Sequence, residues 1–254
     1  VTDEQVREAT ALLYGLKRDI VWKWPRTDRY RLSWRDCVWN RDLNKYLREP
    51  ELLRSVKWII CPDNPGDQER MHRRYLSSRE ERSAHWFAEQ TLGADFFDES
   101  VMILNKTPLS SRVTTGLDAF EPAAVRDTQV AMARLMVDLL ALTRANLWIL
   151  GVTGCKWRKG WPELRIPEPN PPAAIRNVVP FYKAFRDLLL AREDCDQLLP
   201  RVFITYHFSR DWFGRGNRAF KVALKAGLVP ALSRWPIRET LFPDLDCEHD
   251  EVGV

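Results

Sequence analysis

Val56-Lys57-Trp58-Ile59-Ile60-Cys61-Pro62-Asp63-Asn64-Pro65-Gly66 joins a short, largely aliphatic run to a turn. The run does not alternate polar with apolar residues, as expected of a strand buried on both faces, and two prolines and a glycine end it abruptly. Three other segments share this form: 101–104 (Val-Met-Ile-Leu), 147–150 (Leu-Trp-Ile-Leu) and 202–206 (Val-Phe-Ile-Thr-Tyr). Helical spacing of apolar residues predicts helices over 79–92, 123–144, 178–191 and 216–226. Strands that alternate with helices imply right-handed crossovers and a parallel sheet. The expected fold class is α/β, a three-layer α/β/α arrangement around a central, mainly parallel four-stranded sheet.

The rest of the chain attaches to that core. Residues 1–50 read as a helical N-terminal extension packed on a core spanning 56–230, the whole forming a single domain. The first twenty residues have the pattern of an amphipathic helix with acidic residues in its first turn, unlike a signal peptide. Five prolines between Gly160 and Pro172 predict an extended loop. No apolar run approaches the ~18 residues that span a bilayer, so no membrane partner is expected. The expected location is cytoplasmic, nucleoid-associated if the source is bacterial, and the expected state is a monomer. Cys37, Cys61, Cys155, Cys195 and Cys247 are scattered with no CxxC pair, which points to idle thiols and to neither a metal site nor a cofactor.

The formal charge of +4 permits nucleic-acid binding without requiring it, and the distribution says more. Arg201, Arg210, Arg215, Arg218, Lys221, Lys225 and Arg234 meet a lone Asp211, and Arg70, Arg73, Arg74 and Arg79 form a second group. Both read equally as solvated faces or as phosphate contacts.

In parallel sheets ligands bind beyond the carboxyl ends of the strands. Three such ends carry polar signatures. Pro62-Asp63-Asn64-Pro65-Gly66 follows the first strand, Asn105-Lys106-Thr107-Pro108-Leu109 the second, and His207-Phe208-Ser209-Arg210 the last. Their order and placement resemble the uracil-DNA glycosylase superfamily. Asn64-Pro65-Gly66 is similar to its first motif, closest to the mismatch-specific and single-strand-selective branches. Asn105 matches its base-reading asparagine, and His207-Phe208-Ser209 is similar to its His-Pro-Ser motif. Pro62 and Phe208 depart from the family pattern, and the stretch from Gly151 to Pro172 has no counterpart in it.

The resemblance implies a monofunctional glycosylase of base-excision repair that acts on flipped bases in single- or double-stranded DNA. Asn64 would position the attacking water, and His207 would donate to the leaving-base anion. Asn105 would read the pyrimidine edge, with Pro65 beside it. Tyr75, or alternatively His72, would lie beneath the ring. Gly66 would leave room around C5, so that 5-substituted uracils or another deaminated base enter, and Asp63 would hold the water or a cation. Ser209, Arg210, Trp212 and Arg215 would contact DNA, with Phe213 in the same wedge loop. Each residue also has a plain structural reading: Asn-Pro-Gly is good turn chemistry, and Asn105 suits a strand cap. Two rival functions follow from the same residues. One is a glycosylase-fold DNA-binding protein without chemistry, which Pro62 and Phe208 favour. The other is a hydrolase of free nucleosides or nucleotides.

Overall fold

The computed structural model describes residues 1–76, 100–150 and 177–205, with the backbone alone for 156–158, 161–163 and 203–205. The apolar runs become β1 (Trp58–Cys61), β2 (Val101–Ile103), β3 (Asn146–Leu150) and β6 (Val202–Thr205). They form one sheet in the order β2-β1-β3-β6, and every pairing is parallel. All four residues of β1 are buried, as are all three of β2. The absence of polar alternation thus has the cause read from the sequence: neither face meets water.

From β1 the chain steps to β2 on one side, then crosses back over β1 to β3 and on to β6. The direction of travel reverses between β1 and β3. In open parallel sheets such a reversal marks the place, beyond the carboxyl ends of the strands, where ligands bind. The β2–β3 crossover contains a long helix, Pro122–Leu142, and the β3–β6 crossover contains Val179–Leu190. Right-handed crossovers in the same direction put both helices on one face, and the two pack against each other. Gln129, fully buried on the first, accepts from the Phe181 N–H at 3.0 Å and donates to the Asn177 carbonyl, which satisfies the start of the second. Arg201 caps the other end of the long helix, donating to the Thr143 carbonyl at 2.9 Å and to that of Leu140. This arginine, counted above in a basic face, is occupied as a helix cap.

The N-terminal extension begins with α1 (Asp3–Arg18), opened by a reciprocal cap between Thr2 and Gln5. Val6, Ala9, Leu13 and Leu16 line its buried face, and the helix rests on Pro122–Leu142. A short helix α2 (Asn44–Arg48) follows. The Tyr46 hydroxyl donates to the Val101 carbonyl at 3.3 Å, and the Asn40 amide to that of Ile103 at 3.3 Å. The extension thereby covers the open edge of β2, whose unpaired backbone groups would otherwise invite another strand. Buried residues from Val6 to Val202 belong to one hydrophobic core.

The proline-rich stretch is not wholly loop. β4 (Lys156–Arg158) and β5 (Trp161–Glu163) form an antiparallel pair with Trp157 opposite Pro162. Proline lacks only a backbone donor, and a two-stranded ribbon leaves every second N–H unpaired. The helices expected over 79–92 and 216–226 lie outside the described residues. Among the described residues no helix is long and apolar enough to cross a membrane.

Candidate functional site

The loops after β1 and β2 are fastened together. The ladder continues past the strands, with the Leu104 N–H donating to the Ile60 carbonyl at 3.0 Å and the Lys106 N–H to that of Pro62 at 2.9 Å. Farther out, the Ser111 N–H donates to the Pro65 carbonyl at 2.9 Å. Asn64 adds its own staple: Nδ2 donates to the carbonyls of Ser111 at 2.7 Å and Pro65 at 3.3 Å. Two carbonyl neighbours fix which end of the amide is nitrogen. The remaining atom, Oδ1, accepts no hydrogen bond from the described residues, so it is free to accept from a water.

Asn105, two residues beyond β2, is 0% exposed, and neither its Nδ2 nor its Oδ1 has a hydrogen-bond partner among the described residues. The Ser110 hydroxyl is likewise buried and unpartnered. A buried orphan of this kind costs roughly 1–3 kcal/mol and is uncommon in folded proteins. A slack loop does not account for it. Thr107, fully buried, bonds the Thr128 hydroxyl at 2.9 Å and accepts the Leu109 N–H at 3.2 Å. The Ser110 N–H donates to the Asp36 carbonyl at 2.8 Å. The backbone around Asn105 is therefore fixed while its amide is left unmatched.

A buried cation occupies the same edge. The Lys106 side chain is 0% exposed, and its ammonium pairs with the Asp63 carboxylate and donates to the Leu150 carbonyl at the end of β3. It also stands 5.2 Å from the centroid of the Tyr182 ring. Thr114 donates to the other Asp63 oxygen at 3.4 Å. Burial alone would lower the lysine's proton affinity, but the Asp63 carboxylate outweighs it and raises the pKa above the ordinary lysine value. Lys106 is therefore a buried ammonium that links three strand ends. Sequence reading missed it. Its signal was a lysine among apolar neighbours in Ile103-Leu104-Asn105-Lys106-Thr107-Pro108-Leu109, a setting that obliges a charge to find a partner.

Tyr75 is bonded to the N-terminal extension. It is buried and its hydroxyl donates to the Val38 carbonyl at 2.6 Å. It lines a cavity of about 250 Å³ with Asn40, Tyr46, Leu76 and β2, and neither Asn64 nor Asn105 is among the lining residues. The Tyr75 hydroxyl is thus held by the extension. His72 is exposed near the end of α3 (Asp67–His72). Pro65 is buried, its carbonyl serving the staple just described. Gly66 caps α3 with φ −81°, a conformation any residue adopts, and its N–H donates to Glu69 Oε2 at 2.6 Å. A Cβ added there would meet only Glu69 Oε2, at 3.5 Å. The backbone does not require glycine at this position. Asn64, Asp63 and Asn105 thus share one edge of the sheet. His207, Ser209, Arg210, Trp212 and Arg215 lie outside the described residues.

Burial pushes the Cys37 thiol up to about 12 and the Cys61 thiol higher, so both stay protonated. Among the described residues no three His, Cys, Asp or Glu side chains gather closely enough to share a metal ion. No protein-family model matches the chain, and no curated protein sequence matches it.

Proposed function

We propose that the protein is a monofunctional DNA glycosylase of the uracil-DNA glycosylase type, which hydrolyses the N-glycosidic bond of uracil or a related deaminated or 5-substituted base. One observation carries the reading: at the carboxyl edge of a parallel sheet, the Asn105 amide is wholly buried with both its donor and its acceptor unused. A flipped pyrimidine presents the complementary pair along its N3–H and O4 edge, and cytosine presents the reverse. Binding uracil would satisfy both orphaned atoms, and selection against cytosine then rests on the bound pocket holding the amide with Oδ1 toward N3–H, because a flipped amide would pair with cytosine instead.

Asn64 Oδ1 supports the second half of the reaction. An amide oxygen held by two bonds through its nitrogen orients a water toward the sugar as the glycosidic bond lengthens. An amide is a weak base, so positioning and electrostatics carry the chemistry. The departing base takes the bonding electrons, and His207 would hydrogen-bond the resulting anion, as the resemblance implies. Lys106, charged and tied to Asp63, is unavailable for a Schiff base, which favours hydrolysis without strand cleavage.

Incubating the purified protein with uracil- and hypoxanthine-containing oligonucleotides, single and double stranded, tests the proposal; no abasic product from any of them rejects it. Asn64→Ala is expected to lower base release on the order of 10²–10³-fold and to cost about 1 kcal/mol of stability through the lost staple, measured by single-turnover kinetics and thermal unfolding. Gly66→Tyr is expected to fold normally, because the backbone there accepts a side chain. It should retain uracil and lose 5-substituted uracils in competition assays, and an unchanged substrate profile would remove Gly66 from the specificity account.

A further inference from the structure

Residues 33–36 form a tight turn whose tip places a tryptophan and an arginine in solvent. Asp36 Oδ2 accepts from the Ser33 N–H at 2.6 Å and the Ser33 hydroxyl at 2.7 Å, and the Asp36 N–H returns to the Ser33 carbonyl at 3.1 Å. Trp34 is 62% exposed and Trp22 56%, whereas Trp24, Trp39, Trp58 and Trp148 are all buried; Trp22 has a single guanidinium, that of Arg26, over its ring. Two guanidiniums stand against its ring, with Cζ of Arg35 5.2 Å and Cζ of Arg73 5.4 Å from the centroid. The neighbouring arginines have carboxylates, Arg70 pairing with Asp67 at 3.2 Å and Arg74 with Asp42 at 2.8 Å. Arg35 and Arg73 have no ion-pair partner among the described residues. Arg73 donates instead to the carbonyls of Cys37 at 2.8 Å and Trp34 at 3.4 Å. Its backbone sits at φ 54°, a left-handed conformation uncommon outside glycine.

This turn is fixed to the edge of the sheet. The Asp36 carbonyl accepts from Ser110, Cys37 bridges to Leu109, and the Val38 N–H donates to the Pro108 carbonyl at 2.9 Å. Arg73 follows the last residue of α3, the helix that starts just past Gly66. The exposed ring therefore connects rigidly to both loops of the candidate site, through Ser110 to Asn105 and through α3 to Asn64.

We infer that Trp34, Arg35 and Arg73 form a contact surface for a single strand of nucleic acid, with the guanidiniums meeting phosphates and the indole meeting a base. A ring beside unneutralised arginines is the combination that binds single strands without regard to sequence. An acidic peptide would match the charge and leave the ring unused. A lipid surface would need apolar neighbours, and Ser33, Arg35 and Asp36 are polar. The surface is separate from the bond-breaking site and rests on its own observations; its adjacency lets a bound strand extend past the reacting nucleotide.

The test is fluorescence anisotropy of the full chain with a short labelled oligothymidine, which contains no uracil, titrated over a range of salt. Trp34→Ala is expected to weaken binding roughly 5- to 100-fold with the salt slope unchanged, and Trp34→Phe to retain most of it. Arg35→Ala should flatten the slope of log affinity against log salt by about 0.7. An abasic strand of equal charge should bind the parent and Trp34→Ala alike. Binding unchanged in both Trp34→Ala and Arg35→Glu overturns the inference, as does Trp34-dependent capture of an acidic peptide or anionic vesicles with none of oligothymidine. Base release is a separate readout. Trp34-dependent binding without it leaves the surface standing and the glycosylase reading rejected, whereas base release with Trp34-independent binding removes the surface alone.

Discussion

Asn105→Leu is expected to unfold at a higher urea concentration than the parent and to release uracil on the order of 10²–10³-fold more slowly. The two effects share a cause. In the unliganded protein the amide's donor and acceptor are both buried and unmatched, and an apolar side chain of similar shape removes that penalty. The gain should be about 1 kcal/mol, toward the low end of the range for a buried orphan because leucine must also fit the space. It should appear as a raised midpoint with an unchanged denaturant slope. With base bound, the same substitution leaves the pyrimidine's N3–H and O4 facing hydrocarbon, which is where catalysis is lost. A structural cap behaves oppositely, since removing it lowers the midpoint. A lowered midpoint in Asn105→Leu, with base release intact, would show that the amide serves the fold and not a ligand.

That opposition explains which parts of the site were legible in the sequence. Strand positions followed from apolar runs, because burial on both faces is a local property of composition. The ends were less certain. Lys57 was included in the first strand, and its N–H and carbonyl do bond to Ser100 and Asn146, yet the strand proper begins at Trp58. The helix expected over 178–191 spans Val179–Leu190, since the proline at its start and the polar residues after it mark its limits. That Asn64 and Asn105 lie at one edge of the sheet was legible because each closely follows a run that reads as a buried parallel strand.

What sequence reading missed was long-range. Lys106 meets an acid 43 residues away, and no periodicity encodes that pairing. Tyr75 sits at a plausible spacing from Asn64, but its fate is decided by Val38, supplied by an extension whose docking nothing local dictates. The extension read as padding, and it does cover the edge of β2. Its exposed Trp34 has another cause, a turn held out by Ser33 and Asp36.

Lys106→Met is expected to destabilise the protein by roughly 3–5 kcal/mol, the range for breaking a buried ion pair from one side. The substitution keeps most of the side chain's volume and removes only the ammonium. Asp63, whose side chain is 12% exposed, is then left nearly buried without its counter-charge, and the Leu150 carbonyl loses a donor. Replacing both members, Asp63→Leu with Lys106→Met, should recover most of the loss, because the penalty belongs to the orphan and not to the missing attraction. The double variant also separates architecture from chemistry: if it folds well and still releases uracil, Asp63 has no part in holding the water. A pH series gives an independent check. The folded chain raises the lysine's pKa above its ordinary 10.5, so this contribution is complete below about pH 10.5 and fades as pH climbs through the higher folded value. Buried Tyr46, Tyr75 and Tyr182, whose pKa values are also raised by burial, ionise in the same alkaline range. The informative quantity is therefore the difference between parent and Lys106→Met in chemical unfolding. That difference should be constant from neutral pH to about 10 and shrink above it; a gap that stays constant into strong alkali would mean the ammonium is not what holds the three strand ends together.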